Sequence, residues 1–202
     1  MTSHMTSHEK GFQLAELIVS LAVLVLILLL GAPSLVQATS DMRLRLAADE
    51  LVGVLRLARA SAVRLDANVA VKFRTAKDGT VTFTLYRDGD GDGVLNKDID
   101  AGIDRPIEPP RRLANLGRGV GFGFPPGPAP ADPSSPGHPL NVSDPIRFNS
   151  SDLASFSALG TSTPGSLYLT DGVGRLVAVR VANRVGKVRI LTWVPERRIW
   201  RD

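Results

Sequence analysis

Cysteine is absent from the 202 residues, and histidine occurs only three times, at His4, His8 and His138. The first absence removes disulfides, thiol catalysis and cysteine-based metal sites, although a domain of this size can bury a core without cross-links. The second leaves no Ser-His or His-metal constellation, because two of the histidines stand in the first ten residues and the third in a Pro-rich stretch. No phosphate-cradling GxxxxGK[ST] run occurs either. These gaps point away from an enzyme. Aromatic residues make up 5% of the chain and the formal charge is +4, too small an excess to imply nucleic acid by itself. The charge is uneven, however. Arg175, Arg180, Arg184, Lys187, Arg189, Arg197, Arg198 and Arg201 face one acid, Glu196, over the same stretch. That asymmetry is consistent with a polyanion surface or with a solvated basic face.

What the sequence has in abundance is one apolar run, GFQLAELIVSLAVLVLILLLGAPSLV at 11–36. Residues 12–32 number 21, about 32 Å as a helix, with Glu16 as the only charge. That length suffices for a bilayer core of roughly 30 Å. Lys10 precedes the run and would hold the first residues in the cytoplasm, sending everything after 36 to the other side. A secretory signal has a shorter apolar core followed by a small-residue cleavage site; here the small residue comes first. An acid within such a span is costly and calls for a partner, the plain alternative being a signal anchor with Glu16 at headgroup depth.

Lys10, Gly11, Phe12, Leu14, Glu16 and Pro33 stand in an order that resembles the class III signal of type IV pilins and type II secretion pseudopilins. Gln13 and Ala15 replace the usual Thr and Ile. The resemblance implies a leader at 1–11, cleavage by a prepilin peptidase between Gly11 and Phe12, methylation of the Phe12 amine, and neutralisation of such an amine on a neighbouring subunit by Glu16. A buried carboxylate and a buried ammonium are each expensive alone and tolerable as a pair.

After Pro33, which should kink the helix, the pattern becomes amphipathic. Leu44, Ala47, Ala48, Leu51, Val54, Leu55, Ala58, Ala62 and Leu65 recur at helical spacing. Residues 44–73, LRLAADELVGVLRLARASAVRLDANVAVKF, resemble the GspH/FimT branch of that family, in which an Arg-bearing helix leads into a first strand. Alternating Val69, Val71 and Phe73, then Val81, Phe83 and Leu85, predict a β-hairpin with its turn at 76–79. Residues 146–148, 166–170, 175–181 and 187–193 are also strand-like, and the last part resembles the C-terminal β-region of GspH/FimT proteins. DNA-binding FimT members carry a Gly-Arg-x-Arg motif near Gly186-Lys187-Val188-Arg189, where Lys187 lacks the planar fork of Arg.

Between the strands lies an acidic loop, DGDGDGVLNKD at 88–98. Asp88, Asp90, Asp92, Val94 (by its carbonyl), Asn96 and Asp98 follow the first part of an EF-hand loop, with Gly93 at the sharp turn, so a structural Ca²⁺ is one reading. The twelfth position is Ile99, not Glu, so Asp98, Asp100 or Asp104 would have to substitute. The other reading is a solvated hairpin tip whose aspartates bond their own backbone. A Pro/Gly-rich loop follows at about 107–145, irregular or partly disordered over 125–139.

The sequence therefore predicts an α+β, pilin-like chain. Its parts are a leader at 1–11, a transmembrane or filament-core helix at 12–36, the amphipathic continuation at 37–67, and a periplasmic antiparallel β-domain at 68–202. The resemblance implies a minor pilin or pseudopilin with no enzymatic activity, anchored once in the inner membrane and then assembled into a filament. Its partners would be other pilin-like subunits, the prepilin peptidase and the inner-membrane assembly platform. The alternatives are a DNA-binding minor pilin using the eight cations above, and a non-assembling anchored Ca²⁺ protein.

Overall fold

The computed structural model describes residues 7–113 and 120–202, the side chains of 7–13, 28–37 and 136 excepted. The chain divides into two compact units, Met1–Ser40 and Asp41–Asp202. One helix, α1 (Ser7–Leu65), contributes to both and passes through Pro33 uninterrupted. The expected cleavage pair Gly11 and Phe12, and the expected kink at Pro33, fall outside the described side chains.

In the first unit every residue of 14–27 is exposed, including Leu14, Leu17, Leu21 and Leu24. Among the described residues no helix is long and apolar enough to cross a membrane, so the transmembrane segment expected over 12–36 is not seen there. The described apolar run is 14 residues, about 21 Å of helix against a bilayer core of roughly 30 Å.

In the second unit α1 changes character because its apolar residues narrow to one stripe. Leu44, Ala47, Ala48, Leu51, Val54, Leu55, Ala58 and Ala62 are buried, joined by Val52. Four alanines on that stripe bring the helix axis close to the sheets it covers, and the leucines between them fill the gaps.

Two sheets receive it. The first joins β1 (Val69–Thr75), β2 (Val81–Arg87), β3 (Arg105–Pro106) and β8 (Leu153–Phe156) in the order β3-β2-β1-β8. Val71 pairs with Leu85 and Phe73 with Phe83, so the alternating set predicted from sequence shares one face. The second joins β4 (Gly121–Phe122), β7 (Ile146–Arg147), β9 (Gly165–Thr170), β10 (Leu176–Val181), β11 (Val188–Val194) and β12 (Ile199–Arg201), in the order β12-β11-β10-β9-β4 with β7 also on β9. Pairing is antiparallel throughout both sheets. Leu167, Leu169, Val177, Val179 and Val181 meet the helix stripe together with Phe73, Phe83, Phe148 and Phe156. Phe73 lies 6.3 Å from Phe148 with the rings 7° from parallel, and 6.2 Å from Phe83.

The opposite face of the second sheet is covered too, and this corrects the reading of 125–139 as irregular. A two-stranded ribbon, β5 (Ala131–Asp132) and β6 (Ser135–Pro139), forms there. Leu140, just beyond it, packs with Tyr168, Leu176 and Ala178, flanked by Phe124, Leu191, Trp193 and Trp200. Trp200 Nε1 donates to the Ala131 carbonyl at 2.7 Å. Proline needs no partner for a backbone donor, so an extended ribbon rich in it covers a sheet with few ladder bonds.

Replacing Phe73 with Ala opens the centre of this aromatic cluster. Urea unfolding of the full chain is expected to show a loss of about 3–5 kcal/mol, whereas an unchanged midpoint would show that the cluster contributes little.

Candidate functional site

The acidic loop leaves β2 at its end and returns through a short helix, α2 (Asn96–Ala101), to β3. Neither α2 nor β3 is evident in the sequence: six residues are too few to show a helical period. Gly89 is required where the two ends of the loop touch, because a Cβ there would lie 2.1 Å from the Ile103 carbonyl oxygen. Gly93 turns with φ 100°, a conformation glycine adopts without steric cost.

Two aspartates hold the loop from inside. Asp88 is 7% exposed. Its Oδ1 accepts the Asp90 and Gly91 amides at 3.2 and 2.7 Å, and its Oδ2 accepts the Gly93 amide and the Asn68 side chain at 2.9 and 2.6 Å. Burial pushes the Asp88 carboxyl up, but these donors outweigh it and hold it below the ordinary carboxylate range. Asp104, 1% exposed, accepts the Gly89 amide at 3.0 Å and the Leu95 amide at 2.9 Å.

The other acids converge at the surface. One carboxylate oxygen from each of Asp90, Asp92 and Asp98 lies within 4.8 Å of the other two, and the same holds for Asp88, Asp90 and Asp104. Asp98 is 5% exposed and its Oδ2 has no hydrogen bond. Burial raises its pKa, as does repulsion from Asp92, Asp90 and Asp104; Lys97 opposes the rise. The Lys97 ammonium stands 3.4 Å from Asp92 Oδ2 and 3.6 Å from Asp98 Oδ2.

The six residues predicted as an EF-hand-like ligand set have different surroundings. Asp90, Asp92 and Asp98 converge, whereas both oxygens of Asp88 are taken up by four donors. Asn96 turns its side-chain amide to the Ser151 carbonyl at 3.2 Å. The Val94 side chain is buried against Ala70, Ile99 and Leu153. Among the substitutes for the missing Glu, Asp98 and Asp104 do turn inward, while Asp100 is exposed and lies 3.8 Å from Arg74.

The eight C-terminal cations do not share one face. Arg175 pairs with Asp41 on α1, and Arg189 with Asp202 at 3.4 Å. Arg180 is half-buried, and its Nη1 has no hydrogen bond in a polar cavity of about 450 Å³ that also holds Asp132, Arg147 and Tyr168. Arg197 and Arg198 follow β11 in the turn to β12, and Arg184 and Lys187 lie in the β10–β11 connection, exposed like Arg201 of β12. Lys187 instead joins Arg56, Arg59 and Arg64 of α1 along a groove of about 810 Å³ floored by Leu55, Val63 and Val188.

An amphipathic helix laid on antiparallel sheets is an α+β arrangement that fits a pilin-like fold. The chain belongs to the GspH family: the family model described as type II transport protein GspH matches residues 47–184. The match begins within the buried helix stripe and leaves the apolar stretch at 12–36 outside it. No curated protein matches the chain. Among solved structures it is similar to the minor pseudopilin EpsH from the type 2 secretion system of Vibrio cholerae, at 14% identity and a TM-score of 0.44, over 74% of this chain and 97% of that one.

Asp88→Ala removes the acceptor of three loop amides. It is expected to cost about 1–3 kcal/mol and to speed hydrogen exchange at Gly91 and Gly93. Because the folded pKa is depressed, the contribution is present above the unfolded value of about 3.9 and fades as pH falls through the folded one; protection at Gly93 unchanged down to pH 2 would contradict this.

Proposed function

We propose that this protein is a minor pseudopilin: a structural, non-enzymatic subunit that inserts its first helical half among the helices of like subunits in a type II secretion pseudopilus. The observation that carries the reading is the exposure of the whole apolar stretch 14–27, a surface far beyond what monomers leave to water. Membership of the GspH family supports the same assignment. The proposed route runs through the inner membrane, with 12–36 spanning it before assembly, the domain in the periplasm, cleavage before Phe12 by a prepilin peptidase, and extraction by the inner-membrane assembly platform. Glu16 is the one charge in the described apolar stretch. In a filament interior it would need an ammonium, and the free amine of Phe12 on an adjacent subunit supplies one.

A second reading, DNA binding in uptake, is favoured by one feature, the groove where Lys187 meets Arg56, Arg59 and Arg64. Phosphates would be the ligands and affinity would fall steeply with salt.

Two experiments separate these. Crosslinking of the full chain with its companion subunits in native membranes should give mixed oligomers that Glu16→Ala reduces at least tenfold, with the domain still folded; equal yields from both forms would remove the assembly role of Glu16. Gel-shift titration at low salt should retard duplex DNA only if the second reading holds, with Arg59→Ala and Lys187→Ala weakening it.

A further inference from the structure

The acidic loop carries more negative charge at one point than its own fold uses. Asp88 and Asp104 are occupied in holding backbone amides. Asp90 and Asp92, by contrast, are exposed, and Asp98 is buried to 5% exposure with Oδ2 lacking any hydrogen bond. A buried carboxylate oxygen without a donor is uncommon in a folded protein, because desolvation goes uncompensated. Only one cation among the described ion pairs approaches it, Lys97, at 3.6 Å and thus beyond hydrogen-bonding range. Lys97 reaches Asp92 and Asp98, while Asp90 adds a third carboxylate at a spot where one oxygen from each of the three lies within 4.8 Å of the other two.

From this convergence we propose that Asp90, Asp92 and Asp98 form a Ca²⁺ site, in which the ion meets the orphaned Asp98 Oδ2 and displaces the Lys97 ammonium. The donor set is all oxygen and carboxylate, which suits a hard divalent cation and not zinc or copper. Three carboxylates supply three to six of the six to eight oxygens Ca²⁺ takes, and the exposed side of the cluster admits water for the rest. Mg²⁺ demands a near-octahedral set at shorter distance and gives up water reluctantly, so an open, irregular loop end selects the larger ion. Lys97 is the internal competitor: it sits 3.4 Å from Asp92 and 3.6 Å from Asp98, so bound Ca²⁺ must push it outward. The site therefore belongs with weak extracellular modules, with Kd on the order of 10⁻⁴–10⁻³ M.

Calorimetric titration and thermal unfolding of the full chain, with CaCl₂ against MgCl₂ and after EDTA treatment, test the proposal. A saturable, Ca²⁺-selective rise in Tm is expected. Lys97→Ala should bind Ca²⁺ several-fold more tightly, because the competing ammonium is gone. Asp98→Asn should lose the response. Should that variant fail to fold, Asp92→Asn, at an exposed ligand, should weaken binding at least tenfold while leaving the Ca²⁺-free Tm unchanged. The proposal is overturned if the natural protein shows no saturable response at millimolar Ca²⁺. It is equally overturned if Lys97→Ala lowers Tm and gains no affinity, since Lys97 would then be the cluster's own resident counter-ion.

Discussion

The stripe of alanine and leucine between Leu44 and Ala62 is the constraint on which the second unit depends. It is fully removed from water, and it meets residues of both sheets within one apolar cluster. Among the described residues neither sheet has another helix on its inner face. Strand register follows from this contact: shifting β1 by one residue would turn Val69, Val71 and Phe73 away from the helix and offer Lys72 and Arg74 in their place. The hairpin is thus held in register by what it packs against as much as by its turn. The Arg175–Asp41 pair ties the β9–β10 hairpin to the same helix, but at the surface, where an ion pair adds little to what the stripe supplies.

The second sheet is covered on both faces. Val177, Val179 and Val181 face the helix while Leu176 and Ala178 face the Pro-rich ribbon. This explains the nearly continuous apolar run of β10, which reads as a core strand and not as an alternating one. It also gives the two tryptophans a purpose. Trp193 and Trp200 lie 5.3 Å apart, and Tyr168 lies 6.2 Å from Trp200 and 5.1 Å from Phe124. These aromatic rings supply the apolar area that a ribbon of small residues and prolines cannot provide for itself.

How much of this was legible in the sequence varies with the range of the interactions involved. The helix stripe and the first hairpin have strong local periods, and they stand where the pattern puts them. The ribbon at 131–139 has no period, and its order comes from contacts with Trp200 and Tyr168, which are distant in sequence. In the acidic loop, spacing treats the aspartates alike, and the fold gives them different partners. Position counting treats Asp88 as a metal donor because it opens the motif. In the folded chain Asn68 and three amides converge on it, and that competition is invisible without the partner strand. The fold divides the basic C-terminal run: Arg180 and Arg189 are cross-strand partners on β10 and β11, Arg175 pairs with Asp41 of α1, and Lys187 finds its companions on α1.

The two units place opposite demands on solvent, and this separates folding from association. In the second unit the exposed apolar residues, such as Leu57, Leu159, Val173 and Val185, are dispersed, as is ordinary for a soluble surface. Their burial is not needed to complete the core. Along 14–27, by contrast, apolar side chains are exposed all round the helix, so no single neighbour can cover them. A groove or a one-sided partner would leave half of that surface wet. A surrounding medium of comparable polarity is required, and either lipid or a bundle of similar helices provides it. Under the proposed assembly Glu16 separates the two, because a carboxylate gains nothing from lipid, whereas the Phe12 amines freed by the proposed cleavage would offer it an ammonium. In that proposal the residue that is costly in lipid is also the one that favours passage into the bundle.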